Sequence, residues 1–156
     1  MKTELIVIGK TTSKHIQACI DDYTARLGHY MPFSLTVIPE LKNTRALTEE
    51  QQKEREGEQV LQRLSVGDTL VLLDEHGSEF RSIEFASWLQ KKQQVVRRLV
   101  FLIGGPYGFS PQVYARADEK ISLSRMTFSH QMVRLIFVEQ LYRSCTIIKG
   151  EPYHHE

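Results

Sequence analysis

At 156 residues the chain has the size of one domain, long enough to bury roughly 68–70% of the surface its unfolded form exposes. Its composition, 41% hydrophobic and 25% charged, is that of an ordinary globular protein. A net charge of +1 excludes a polycation that holds nucleic acid by bulk charge, so any RNA contact rests on a local basic patch or on a surface shared by two subunits.

The opening apolar run, Leu5 to Ile8, is four residues long, too short for a signal core or a membrane span, and reads as a first buried strand closed by Gly9. Thr11 to Leu27 follows as a helix, with Ser13 as its N-cap, Ile16, Ile20, Tyr23 and Leu27 at helical spacing, and Gly28 as its stop. Phe33 to Ile38 is a second strand between Pro32 and Pro39. Residues 40–58 are polar, with seven charges between Glu49 and Glu58, and are expected to form a solvated helix face and a mobile loop. This helix gains apolar residues for docking only at Val60, Leu61 and Leu64.

Thr69 to Leu73 is a continuous apolar run, as expected of a strand covered on both faces of a parallel sheet. Asp74 to Gly77 then reads as a turn, and Ser82 to Lys92 as a short amphipathic helix. Leu99 to Ile103 is the fourth strand, Pro111 to Ala117 a short helix, Ile121 to Leu123 a fifth strand, and Ser129 to Ser144 the last helix. Strands alternating with helices predict an α/β fold with a mainly parallel sheet. The last helix carries Met132, Val133, Leu135, Ile136, Phe137, Val138, Leu141 and Tyr142 around more than half its circumference. It is therefore either central in the core or shared with a second subunit.

Several residues invite a chemical reading beside a plain one. Gly104-Gly105-Pro106-Tyr107-Gly108 departs from the dinucleotide fingerprint, because it follows a late strand and Pro106 removes an amide. It is either a turn or a place where backbone approaches a flat ligand closely. His130 is either a cap of the last helix or a catalyst, and Asp74-Glu75 either a solvated turn or an acid–base pair. Neither the histidines nor the two lone cysteines, Cys19 and Cys145, have metal-ligand spacing, and no metal is expected. Lone thiols fit a reducing cytosol, hence a cytoplasmic protein without a membrane anchor.

Taken together, the Leu73-Asp74 strand end, the Ile103-to-Gly108 loop, Ser122 to Gln131, Glu139-Gln140-Leu141-Tyr142-Arg143 and the terminal Pro152-Tyr153-His154 resemble one family closely. The opening Leu5-to-Lys10 run and the Glu56-Gly57-Glu58 patch extend the likeness over essentially the whole chain. The family is RlmH, small SPOUT-class enzymes that methylate N3 of a pseudouridine in 23S ribosomal RNA. The resemblance implies a single SPOUT-type α/β domain, mainly parallel, whose C-terminal segment forms a deep trefoil knot. It implies S-adenosyl-L-methionine as cofactor, held by Leu73, Gly104, Leu123, Ser124, Arg125, Met126, Thr127 and Phe128.

The same resemblance implies a homodimer built on the last helix and acting on 23S rRNA in the assembled ribosome. The tail of one subunit would complete a surface beside the other. His154, as proton acceptor or orienter, Arg143, as electrostatic partner, and Tyr153 become the catalytic candidates. Lys10, Lys14, Arg125, Arg134, Arg143 and Lys149 become candidate RNA contacts. Two other readings stay open on this basis: a related enzyme with another RNA target, and a ribosome-binding factor without catalysis.

Overall fold

Five parallel strands in the order β2-β1-β4-β3-β5 form the sheet of this protein, seen in a computed structural model that describes residues 1–156. The strands are β1 (Lys2–Ile8), β2 (Phe33–Ile38), β3 (Thr69–Glu79), β4 (Arg98–Ile103) and β5 (Glu119–Ser122). The helices are α1 (Lys14–Leu27), α2 (Glu49–Leu61), α3 (Ser82–Val95), α4 (Pro111–Arg116) and α5 (Met132–Lys149).

The side-chain alternation of the strands divides the core into two layers. Leu5, Val7, Val71, Leu99, Phe101 and Ile103 face one way and pack with Leu27, Phe85, Leu89, Phe137, Val138 and Leu141 of α1, α3 and α5. Ile6, Ile8, Leu70, Leu72, Val100 and Leu102 face the other way, onto Val60 of α2 and Val113 of α4. Strands covered on both faces must be apolar at every position, which is why β1, β3 and β4 read as continuous runs. Phe101 is fully buried and meets Phe137 at 4.7 Å between ring centroids.

The local signals behave as their chemistry requires. Ser13 Oγ accepts from the Ile16 N–H at 3.3 Å, so α1 starts at Lys14 rather than Thr11. The reciprocal bonds of Thr48 and Gln51, at 3.0 and 3.1 Å, fix the start of α2. The polar 40–58 stretch presents the expected solvated face at Glu49, Glu50, Glu54, Arg55 and Glu58, but Glu56 and Gly57 of α2 depart from it and are buried. Asp74 to Gly77 is a correction: the chain continues as strand to Glu79, with a register shift between Leu73 and Ser78. Gly77 permits this, since a β-carbon there would lie 2.6 Å from the β5 backbone. Glu119 to Ser122 forms β5, two residues ahead of the expected start.

The last helix starts at Met132 and runs on to Lys149, and Ser129 Oγ accepts from the Met132 N–H at 3.1 Å. It lies between α1 and α3 and buries Phe137, Val138, Leu141 and Cys145, while Met132, Leu135, Ile136 and Ile147 stay partly exposed. Burial pushes the Cys145 thiol up to about 12, so it remains an inert core group.

To reach α5 from the sheet edge at β5, the chain passes the ends of β3 and β4 and ties onto the end of β1. Thr12 N–H donates to Gln131 Oε1 at 2.6 Å, and Arg134 donates to the carbonyls of Ile8 at 2.8 Å and Gly9 at 2.9 Å. Arg134 is only 3% exposed, which removes it from the candidate RNA contacts. Burial lowers its pKa from the usual arginine value, yet a guanidinium remains charged, and its fork suits several acceptors at once. Arg134→Ala leaves two buried carbonyls unpaired and is expected to cost roughly 2–5 kcal/mol in denaturant unfolding. Arg134→Lys should recover little, because a point charge does not reproduce the fork. An unchanged unfolding midpoint for the alanine variant would remove this tie from the account.

Candidate functional site

All five strands run the same way, so their C-terminal ends lie along one edge of the sheet, where open α/β proteins take ligands. Here the ends of β4, β3 and β5 are neighbours, and the loops that leave them enclose a cleft of about 600 Å³. Leu73 contributes from β3, Gly104 to Phe109 from the loop after β4, and Ser122 to Ser124 with Met126 to Phe128 from the segment after β5. Of the eight candidate cofactor residues, seven line this cleft. Arg125 does not: its side chain is exposed and pairs with Glu79 at 3.4 Å.

The walls present backbone and apolar surface in turn. Ser122 Oγ donates to the Ser124 carbonyl at 3.0 Å, and Ser124 Oγ accepts from the Met126 N–H at 2.9 Å, which shapes the loop after β5. Across the cleft the Gly108 N–H donates to the Gly105 carbonyl at 3.1 Å and closes a tight turn over Pro106 and Tyr107. Gly105 has no room for a side chain, since a β-carbon would meet Glu56 Oε1 at 2.6 Å. The glycine run is therefore a turn, and its backbone forms one wall of the cleft.

Glu56 is 6% exposed and its Oε1 has no hydrogen-bond partner, while Oε2 accepts weakly from Gln52 at 3.4 Å. Burial raises its carboxyl above the ordinary glutamate value of 4.5, with the charge of Glu40 adding to the effect. A carboxyl raised on folding costs stability above its unfolded pKa, where the unfolded chain ionises freely, and costs nothing below it. Glu56→Gln is therefore expected to gain stability relative to wild type as pH rises above the unfolded glutamate value of about 4.3. A pH-independent difference in unfolding midpoint would contradict this.

Lys53 and Tyr114 are among the cleft residues that sequence reasoning missed. Lys53 lies on the charged stretch that reads as solvated, and Tyr114 sits on α4 with its hydroxyl donating to Asp74 Oδ2 at 2.8 Å. Only the three-dimensional meeting of α2, α4 and the strand ends reveals them. His130 also lines the cleft and is exposed; Ser129 and not His130 meets the first turn of α5. Asp74 accepts from Tyr114 and from the His76 N–H at 3.0 Å, so Asp74 and Glu75 do not form a carboxylate pair.

The catalytic candidates gather elsewhere. Past α5 the chain turns back and lays residues 151–156 along α5, α1 and the start of α3. Tyr153 OH donates to Glu139 Oε1 at 2.9 Å and lies 3.2 Å from Tyr23 OH, and its ring packs on Tyr142 at 4.8 Å. Arg143 Nη2 donates to the same Glu139 oxygen at 2.6 Å, and Nη1 meets His154 Nδ1 at 3.1 Å. A guanidinium only donates, so Nδ1 accepts and the ring proton of His154 sits on Nε2. That Nε2 is buried and has no partner within the protomer. Burial, then the bonds to Tyr23 and Glu139, hold the Tyr153 phenol well above the usual tyrosine range, so it remains a donor. Arg143, Tyr153 and His154 are thus brought together with one another, and none of the three lines the cleft. No group of three or more histidine, cysteine or acidic residues converges to hold a metal ion, and no helix is long and apolar enough to cross a membrane.

Comparison with known proteins agrees over the full length. A family model described as "Predicted SPOUT methyltransferase" matches residues 1–154. The chain is 62% identical to ribosomal RNA large subunit methyltransferase H of Bacteroides fragilis, with 100% of both chains covered. Against proteins of the same name it is 61% identical in Phocaeicola vulgatus and 57% in Flavobacterium johnsoniae, again over 100% of each.

Proposed function

Because the chain belongs to the SPOUT methyltransferase family, we propose that it methylates N3 of a pseudouridine in 23S rRNA of the assembled ribosome, in the cytoplasm, as a homodimer of single-domain subunits with S-adenosylmethionine as donor. The observation that carries this reading is the cleft at three adjacent parallel strand ends, walled by glycine backbone and apolar side chains. The family's trefoil knot would be formed by the crossing stretch between β5 and α5.

The cleft suits the donor. About 600 Å³ admits a nucleoside carrying an amino-acid chain. Leu73, Gly104 and the stretch Leu123 to Phe128 would hold it by backbone bonds and apolar contact, with Arg125 outside the wall. When bound, S-adenosylmethionine supplies an electrophilic methyl group on a sulfonium.

The protein's own residues orient the acceptor base and stabilise the negative charge that develops as its ring-nitrogen proton leaves to solvent. With Arg143 holding Nδ1, His154 carries an N–H and not a lone pair at Nε2, buried within the protomer, so it meets a base only as the tail repacks against RNA. Between proton acceptor and orienter, this tautomer favours the orienter, a donor to an oxygen of the base as negative charge develops. Arg143 adds positive charge beside it, and Tyr153, whose proton is held by Glu139, fixes the shape of the cluster together with that carboxylate. These groups stand apart from the cleft of their own subunit, so we assign them to the cleft of the partner. The partly exposed apolar residues of α5, Met132, Leu135, Ile136 and Ile147, supply the interface.

Transfer of labelled methyl from S-adenosylmethionine to ribosomes that lack the modification tests the reading. Label at one pseudouridine of the large-subunit RNA is expected. Cofactor binding without ribosome labelling would redirect the substrate to another RNA, and no cofactor binding would leave the noncatalytic reading.

A further inference from the structure

Two aromatic residues of the chain are exposed, Tyr107 at 44% and Tyr114 at 41%, and both line the mouth of the cleft. Every other tyrosine and phenylalanine, and the single tryptophan, is buried or half-buried. Met126, 77% exposed, stands on the same rim. Scattered exposed apolar residues carry no message, but a cluster around one opening does.

The two rings are held differently. Tyr114 is committed within the protein: its hydroxyl donates to Asp74, its ring meets Phe109 edge-on at 5.5 Å and 83°, and Lys120 Nζ lies 5.7 Å from its centroid. No such partner engages Tyr107. It projects from the turn that Gly105 and Gly108 close, with Pro106 ahead of it holding the backbone dihedral such a turn requires. A rigid tip therefore presents an unpartnered ring to the mouth of the cleft.

Resting on the rRNA methyltransferase reading, we infer that Tyr107 is the stacking platform for the acceptor nucleobase. A base that is to be modified must leave its own stack to bring a ring nitrogen to a donor held in a cleft. It then loses its neighbours' π-faces, and an aromatic side chain at the entrance replaces one of them. Lys53 on the cleft wall, loosely paired with Glu50 at 3.5 Å, and Lys120 beside Tyr114 place two cations near the opening for the phosphates that flank an extruded base. Asp74 on the same wall is occupied by the Tyr114 hydroxyl and the His76 N–H.

Stacking needs the ring and not the hydroxyl, which separates it from hydrogen-bond readout and from mere bulk. Tyr107→Ala, Tyr107→Leu and Tyr107→Phe would be compared by methyl-transfer kinetics on ribosomes and by calorimetric binding of S-adenosylmethionine. The alanine and leucine variants are expected to raise KM for ribosomes roughly ten-fold, while phenylalanine restores it to within about two-fold. Cofactor Kd should move by less than about two-fold in all three. A cofactor Kd that weakens in step with KM would assign the ring to the methyl donor and overturn the proposal. So would an alanine or leucine variant with wild-type KM. Wild-type protein that binds cofactor yet leaves ribosomes unlabelled would defeat the substrate reading itself, and this role with it.

Discussion

Truncation after Gly150 is expected to lower methyl transfer by more than about 100-fold while S-adenosylmethionine still binds. The deleted residues include Tyr153 and His154, and their loss strips Arg143 of its imidazole partner and Glu139 of its phenol. A preorganised donor of this kind typically carries a factor of about 100 or more when removed, and here the phenol that fixes its surroundings goes with it. None of the lost side chains lines the cleft, which is why cofactor affinity should persist. The tail also packs on the body, through Tyr30 and Glu151 at 2.5 Å and the rings of Tyr142 and Tyr153. Arg143→Ala therefore provides a second variant that keeps the tail, and single-turnover rates with calorimetry on both would separate chemistry from binding. Wild-type turnover by either would end the assignment of this cluster to catalysis.

Gly105→Val is expected to weaken cofactor binding by more than about 100-fold, a loss of roughly 3 kcal/mol. A β-carbon at this position would lie 2.6 Å from Oε1 of Glu56 and 3.1 Å from its Cδ. Glu56 cannot easily retreat, because the same stretch of α2 is itself packed closely: a β-carbon on Gly57 would meet Ser110 Oγ at 2.6 Å. The strain must then pass into the loop after β4, which forms a wall of the cleft. Gly105→Ala with Glu56→Ala removes the obstructing carboxyl and should recover part of the affinity lost in Gly105→Ala alone. Calorimetry across that cycle would measure the coupling, and strictly additive losses would show that the loop and α2 do not communicate.

The strands β1 to β4 were legible because each is either flanked by prolines, as at Phe33 to Ile38, or too apolar to lie anywhere but between two helical layers, as at Leu70 to Leu73. By contrast, β5 opens on Glu119 and Lys120 and was read two residues late. The cap at Ser13 was legible because its chemistry is local. Glu56 was not, since a glutamate amid six other charges gives no sign that its neighbours are glycines and not water. Nor was the continuation of β3 past Asp74, which depends on Gly77 lying against a strand more than forty residues later. The cofactor and tail candidates came from likeness to a family. Geometry then divided them between two places, a distinction that no one-dimensional pattern carries.

The most direct test of a site shared between subunits is to mix two inactive variants. Arg143→Ala keeps an intact cleft and loses the catalytic tail cluster, whereas Gly105→Val keeps the cluster and loses the cleft. If the cluster of one protomer serves the cleft of its partner, equal mixtures that exchange subunits contain mixed dimers with one complete site each. Methyl transfer to ribosomes should then return to about a quarter of the wild-type rate, as random pairing of two-fold dimers requires. Mixtures that exchange subunits and stay as inactive as their parents would contradict the account, because a site built within one protomer cannot be restored by mixing.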